Sequence, residues 1–271
     1  MNFQYKIVET IEDNDNDYVY VYEELESDSD AMISLCTLSA INWGKIKTPV
    51  DFQKPCDLAV RGLDALLDFQ SYPVKAAQRS TMKYRPLGVG IVNFAYWLAK
   101  NDMNYTNPDL YKIDKYTEAF AYYLTLASIN LAKEYGPCPG YKNTKYSQGL
   151  FPRDTVKEEI HELVDNTIMM NWDHLKEEIL KYGIRNATLM ALMPSETSSQ
   201  ISNSTNGIEP PRSLISIKQS KEGVLKQVVP EFRRLKNKYE LLWDQKSPEG
   251  YLKICAVLQD HRDLHISVNT S

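Results

Sequence analysis

The sequence lacks a long apolar run, and this absence argues against a membrane-spanning protein. Its richest apolar stretch, residues 89–98, is interrupted by Asn93. A span that crosses a bilayer needs about 18 apolar residues, so this stretch is too short. The first fifteen residues also lack the basic and apolar regions of a signal peptide. We therefore expect a cytoplasmic protein with no membrane partner.

Cysteine is scarce as well. The 271 residues contain four cysteines, widely spaced and without a Cys-x-x-Cys pair. This spacing excludes a disulfide framework and a zinc ribbon. A single cysteine on a strand or helix is usually a buried small hydrophobe. Local sequence favours that interpretation for Cys36, Cys56, Cys138 and Cys255.

The charge is unevenly distributed, although the composition is that of an ordinary globular protein, with 43% hydrophobic and 25% charged residues. Residues 7–30 contain ten acidic residues and no Lys or Arg. The rest of the chain therefore carries 26 acidic and 31 basic residues, a net charge of +5. This mild excess suits an anionic small ligand but is far too weak to indicate nucleic-acid binding.

Predicted strands and helices alternate along the chain. Periodicity and turn residues predict strands over 18–22, 34–42 and 186–193, a short strand or turn over 86–91, and a hairpin over 214–229. They predict helices over 52–69, 92–100, 114–135, 172–182, 230–243 and 248–260. This order indicates an α/β fold with a parallel sheet or barrel. The last apolar strand, 264–269, has no following helix to cover it, so we expect a piece of a larger fold.

The strongest local signal is a polar turn after the apolar strand at 186–193. Pro194 is followed by Ser195, Glu196, Thr197 and Ser198. Free N–H groups and hydroxyls at such a turn can bind an anion, and α/β folds place ligands at the carboxyl ends of parallel strands. The alternative is simple helix capping by Ser195 or Thr197.

Two segments resemble metal-binding motifs, but each has the wrong residue at a position that the motif requires. The acidic run 13–24 holds Tyr18 where a calcium loop needs glycine. The segment 161–165 has an aspartate where a zinc-protease helix needs its second histidine. His261 and His265 are predicted to be surface residues. The sequence therefore predicts no metal site.

Five segments, taken in order, resemble the C-terminal half of the large catalytic subunit of aerobic class I ribonucleoside-diphosphate reductase. They are residues 35–44, 58–73, 87–100, 182–212 and 224–232. The blocks PSETSSQISN and NGIEPP are the most specific.

The fold that this resemblance implies is the second half of a ten-stranded α/β barrel, incomplete at both ends. Residues 34–271 would form the partial C-terminal half-barrel. Residues 1–33 would be an acidic N-terminal segment that is a remnant or replacement of the family's finger loop.

The resemblance also implies roles for named residues. In the family, a thiyl radical on a finger-loop cysteine removes the ribose 3′-hydrogen, and two further cysteines reduce the 2′-carbon while forming a disulfide. Cys36 matches one of that redox pair, which would need access to substrate and partner and so replaces the packing interpretation. Residues 195–198 match the loop that binds the substrate diphosphate.

Several family features are missing from the sequence. The family's Asn-x-Cys-x-Glu finger motif has its nearest counterpart at residues 2–6, with Gln4 and Lys6 in place of the cysteine and glutamate. The second redox cysteine has no match. Tyr122-Tyr123 lies in the wrong helix to be the family's radical-transfer pair, and it is predicted to pack in the core.

The resemblance therefore implies an oxidoreductase part that has no turnover alone. It would bind no cofactor itself and would need a chain carrying the N-terminal half, a metal-containing small subunit that supplies the radical, and thioredoxin or glutaredoxin. Its substrate would be a ribonucleoside diphosphate. The alternatives are a non-catalytic half-barrel that binds or regulates a reductase, and an inactive gene remnant.

Overall fold

The computed structural model describes residues 5–12, 18–24, 35–164, 167–220, 223–263 and 266. Its strands are β1 Tyr5–Glu12, β2 Tyr18–Glu24, β3 Thr37–Asn42, β4 Leu87–Val92, β5 Ile215–Ser220 and β6 Gly223–Val228. Its helices are α1 Gln53–Phe69, α2 Lys75–Tyr84, α3 Phe94–Lys100, α4 Leu110–Tyr135, α5 Glu158–His161, α6 Trp172–Tyr182, α7 Ser198–Ile201, α8 Phe232–Leu235 and α9 Glu249–Asp260. Short 3-10 turns cover Trp43–Lys45, Pro49–Phe52, Tyr141–Asn143, Lys145–Gln148, Pro152–Thr155 and Leu242–Asp244.

A small parallel sheet forms the centre of the fold. β3 pairs with β4 in parallel from Thr37↔Leu87 to Asn42↔Val92. Val89 of β4 then bridges Met190, also in parallel. The predicted strand 186–193 is present only as this bridge and the flanking hydrogen bonds of residues 188–191 to β4, and we call these residues the third strand.

The helices cover one face of this sheet. The Thr37 hydroxyl donates to the Leu63 carbonyl of α1, so the odd-numbered residues of β3 face that helix. Trp43 is fully buried beyond the end of β3, with its ring centroid 5.3 Å from those of Phe52 and Trp97. Edge-to-face packing of this kind adds to the free energy gained from burying the rings.

The opposite face of the sheet carries small residues. A side chain added at Gly88 would come within 2.5 Å of the Leu38 side chain, and one at Gly90 within 2.7 Å of the Ala191 carbonyl oxygen. Leu38 itself is 49% exposed. We call this surface, with Leu38 at its centre, the open face, because no helix of the described residues covers Leu38.

The parallel α/β arrangement is therefore confirmed, whereas the larger barrel is not. Among the described residues the sheet does not close on itself. Half of a ten-stranded barrel stays a prediction. No helix in the described part of the chain is long and apolar enough to span a membrane.

Among the remaining elements, some sequence predictions agree with the structure and others do not. The strand at 18–22 is confirmed as β2, which pairs antiparallel with β1, and the hairpin at 214–229 is confirmed as β5–β6. Most of the predicted strand 264–269 lies outside the described residues. The predicted helix over 230–243 is wrong in length, since helix is present only over Phe232–Leu235.

A buried ionic network ties the helices to the starts of two strands. Arg85, just before β4, binds Asp64 through Nε at 2.7 Å, and its other nitrogens bind Asp68. Asp64 also accepts hydrogen bonds from Arg185 and from Asn186, just before the third strand. The side chains of Arg85 and Asp64 are almost fully buried, so each depends on the other because an unpaired buried charge is costly, whereas Asp68 is 53% exposed.

Arg85→Met should destabilise the chain strongly, because it leaves the buried Asp64 carboxylate short of a partner. We expect a loss of about 3–5 kcal/mol of unfolding free energy, measured by urea denaturation. Arg61→Met is the matched control, since Arg61 pairs with Asp57 and Glu134 at the surface and should cost at most about 1 kcal/mol. Equal effects of the two substitutions would contradict this account.

Candidate functional site

Cys36 lies just before β3 and is exposed. Its preceding residue, Leu35, is fixed to α2 because the Thr81 hydroxyl accepts from the Leu35 N–H at 2.9 Å and donates to the Leu35 carbonyl at 3.2 Å. Alternation along the strand places Cys36 on the side of Leu38, away from α1. The thiol therefore lies at the open face.

The buried-thiol interpretation is wrong for Cys36 and confirmed for the other three cysteines. Cys56, Cys138 and Cys255 are buried. Burial raises the thiol pKa to about 11 in both Cys138 and Cys255, and raises that of Cys56 as well. A thiolate is the reactive form, so these three thiols are poorly suited to redox chemistry.

Iodoacetamide should therefore modify the folded chain at Cys36 first. We expect one fast equivalent of alkylation at this residue and the other three thiols to react only after denaturation, as measured by peptide mass spectrometry over time. Fast labelling of Cys138 or Cys255 in the folded chain would contradict the burial described above.

The polar turn predicted at 195–198 lies at the carboxyl end of the third strand. Ser195 is 1% exposed, and its hydroxyl donates to Asn206 Oδ1 at 2.6 Å and accepts from the Gly207 N–H at 2.8 Å. Its side chain therefore holds the following loop in place, and its hydroxyl is already engaged within the protein.

Glu196, Thr197 and Ser198 are all exposed at this turn. Thr197 precedes α7, and no side-chain capping bond at this residue is found in the described part of the chain. The capping alternative is thus not supported for Ser195 or Thr197. The exposed groups point to the outer three residues as the part of the turn that a ligand could reach.

Two asparagines that the sequence analysis missed connect the turn to the sheet. Asn93 lies just after β4 in the left-handed region, with φ of 68°. Its side chain donates to Asn42 Oδ1 and accepts from the Thr205 N–H, while Asn42 donates to the Ser204 hydroxyl. The sequence signal for Asn93 is an asparagine directly after an apolar strand, because Asn adopts the left-handed conformation more readily than most residues.

The sheet carries the thiol and the turn at opposite ends of its strands. Cys36 precedes the first pair, Thr37↔Leu87, and the turn follows the Val89↔Met190 bridge. The six residues of β3 span about 20 Å. That one ligand touches both groups stays a prediction.

A separate groove lies between the start of α1 and α4, and it has a volume of about 590 Å³. Asp51, Lys54, Tyr123 and Asn130 are among its lining residues. The predicted site residues lie elsewhere, on the sheet. Tyr122 and Tyr123 pack edge to face at 5.4 Å and are largely buried, which confirms the prediction that they are core residues.

Comparison with known proteins identifies the family. The family profile described as "Ribonucleotide reductase, barrel domain" matches residues 22–270, most of the chain. The chain belongs to this family. The resemblance found in the sequence is thus confirmed.

Similar proteins are named as α subunits of ribonucleoside-diphosphate reductase. The chain is 52% identical to the one from Buchnera aphidicola (strain APS) over 242 residues, which cover 89% of the chain and 32% of that protein. It is 48% identical to the α subunit of ribonucleoside-diphosphate reductase 1 from Escherichia coli K12 over 206 residues, covering 76% of the chain and 27% of that protein. It is 41% identical to the bacteriophage T4 α subunit over 237 residues, covering 84% and 31%. The chain therefore spans about a third of the length of these relatives.

Proposed function

We propose that the chain forms part of the catalytic barrel of a ribonucleoside-diphosphate reductase α subunit. The observation that carries the proposal is the exposed Cys36 at the start of β3, in a chain that belongs to the barrel-domain family. The rest of the barrel, including the radical cysteine and the second redox cysteine, would come from residues outside these 271. A metal-containing small subunit would supply the radical.

Cys36 would act as one of two reducing thiols. In the proposed step, two thiols give up two electrons and two protons and become a disulfide, while the 2′-hydroxyl of the nucleotide leaves as water and hydrogen takes its place. Thioredoxin or glutaredoxin would then reduce the disulfide. Such a thiol has to be accessible, and the exposure of Cys36 supports this role.

The turn at 195–198 would bind the diphosphate of the substrate. Support comes from its position at the carboxyl end of the third strand, where α/β folds bind ligands. Ser195 would act through its buried hydrogen bonds, which fix the loop, whereas the exposed hydroxyls of Thr197 and Ser198 would contact the phosphate oxygens. Glu196 would contact another group of the substrate or the protein, because its carboxylate would repel a phosphate.

Reconstitution tests the redox role. The chain should be mixed with a polypeptide that supplies the missing two thirds of a related α subunit, with the small subunit and with thioredoxin, and deoxycytidine diphosphate formation measured. We expect turnover by the mixture and none by the chain alone. Cys36→Ser should abolish it, whereas the matched control Cys138→Ser should retain it.

Two results would count against this function. Full activity of the Cys36→Ser mixture would remove the redox role. Tight binding between the two polypeptides with no turnover would favour a non-catalytic half-barrel that binds or regulates a reductase.

Substitution of the exposed turn hydroxyls tests the diphosphate role. In the same mixture, the double variant Thr197→Ala/Ser198→Ala should raise KM for cytidine diphosphate at least about tenfold, since two hydrogen bonds to a charged group contribute more than about 1.4 kcal/mol together. The measurement is a steady-state substrate titration. Ser213→Ala, an exposed serine elsewhere, is the control, and an unchanged KM in the double variant would argue against the assignment.

A further inference from the structure

Four side chains with metal-ligand chemistry meet where α4, α5 and α9 pack together. We call them the four-ligand cluster, and they are Asp114, His161, Asp260 and His261. The side chains of Asp114, Asp260 and His261 are almost completely buried, while that of His161 is 27% exposed. The prediction that His261 is a surface residue is wrong, because α4 contributes a carboxylate 147 residues away that pairs with it.

The ligand atoms of the cluster lie close together. His261 Nε2 is 3.0 Å from Asp114 Oδ1 and 3.5 Å from Asp260 Oδ2. His161 Nε2 is 2.9 Å from Asp260 Oδ1. Ligand atoms of Asp114, Asp260 and His261 all lie within 4.8 Å of one another, whereas His161 joins this group of three through Asp260. In a tetrahedral site with bonds of about 2.0–2.2 Å, neighbouring ligand atoms are about 3.3–3.6 Å apart. The separation of 3.5 Å lies in this range, and those of 2.9 and 3.0 Å are shorter and would lengthen on metal binding.

Hydrogen bonds do not explain why these imidazoles and carboxylates lie so close together. A single Nε2–H of His261 can be shared fully with one carboxylate, yet it faces two. In the described ranges, neither oxygen of Asp260 has a hydrogen bond of acceptable geometry, and the same is true of His161 Nε2. Buried carboxylates are ordinarily well bonded, and an unsatisfied one points to a water or an ion at the site.

Two cations lie at the margin of the cluster. Arg153 Nε is 3.4 Å from Asp260 Oδ2, and Lys115 Nζ is 3.5 Å from Asp114 Oδ2. Each of these two cations is close to one oxygen of one carboxylate. The buried Glu118 carboxylate lies 3.9 Å from Lys115 Nζ as well. With neutral histidines, three carboxylates therefore face two cations, and a further cation can be accommodated by the imidazole lone pairs.

We propose that the four-ligand cluster binds one divalent transition-metal ion, with Zn²⁺ as the expected occupant. Two imidazoles and two carboxylates form a set that suits Zn²⁺, and bound metal would join α5 to α4 and α9. His161, the partly exposed member, gives the ion a path from solvent. This site is independent of the thiol and the turn on the sheet.

Zinc binding to the full chain tests the proposal. Cys36→Ser serves as the background, so that the exposed thiol binds no zinc. After dialysis, elemental analysis should find one zinc per chain, and competition with a chromophoric chelator should give its affinity. His161→Gln should weaken binding by at least about tenfold, whereas His174→Gln, at an exposed histidine on α6, should leave it unchanged.

Thermal stability and the spectrum of bound Co²⁺ test the zinc site independently of the affinity measurement. Zinc should raise the melting temperature of the background chain and of His174→Gln but not of His161→Gln. If His161→Gln does not fold, the visible spectrum of the Co²⁺-loaded background chain decides, and intense tetrahedral bands are expected. Absence of bound zinc, equal affinity of the two histidine variants, or a weak octahedral Co²⁺ spectrum would overturn the proposal, since protonated histidines would then satisfy the carboxylates.

Discussion

The buried carboxylate of Asp64 is the constraint on which the central sheet depends. It accepts hydrogen bonds from Arg85 and Asn186, which stand directly before β4 and the third strand. Asn186 also donates to the Arg85 carbonyl and pairs with Ser128 of α4. One charged group on α1 thereby fixes where two neighbouring strands begin, and with them the register of the sheet.

A second polar network fixes the other end of the sheet. Asn42 and Asn93, at the ends of β3 and β4, hold the loop that follows the turn, and the Ser195 hydroxyl holds it from the other side. The two ends differ in character. Charged groups hold the end where the strands begin, while neutral amides and hydroxyls hold the end where ligands of α/β folds bind. The groups that hold that end are uncharged, and the charged side chain in the turn itself is that of the exposed Glu196.

Much of the fold follows from local pattern, as α1, α4, α6 and α9 show. The helix α6 begins and ends where predicted, at Trp172 and Tyr182, because Asn171 caps its start and Gly183 ends it. The same reasoning wrongly predicts a helix over residues 230–243. Glu231 takes a left-handed conformation and its carboxylate accepts a hydrogen bond from Tyr96, a contact 135 residues distant that outweighs helix propensity.

In the candidate site too, some features follow from local sequence and others depend on distant contacts. The turn at 195–198 was visible in the sequence because hydroxyl residues follow an apolar strand. The exposure of Cys36 was not visible locally, since strand alternation does not tell which face a helix will cover. Burial of His261 depends on Asp114, a partner that no local pattern reveals.

The anchoring of Leu35 has a mechanical consequence for its neighbour. The Thr81 hydroxyl forms hydrogen bonds with both the N–H and the carbonyl of Leu35, the residue before the thiol. These two hydrogen bonds fix the main chain directly before Cys36. If the sulfur of Cys36 must swing between two bonded states, the swing has to come from torsion about its own Cα–Cβ bond, with the strand as a stationary pivot.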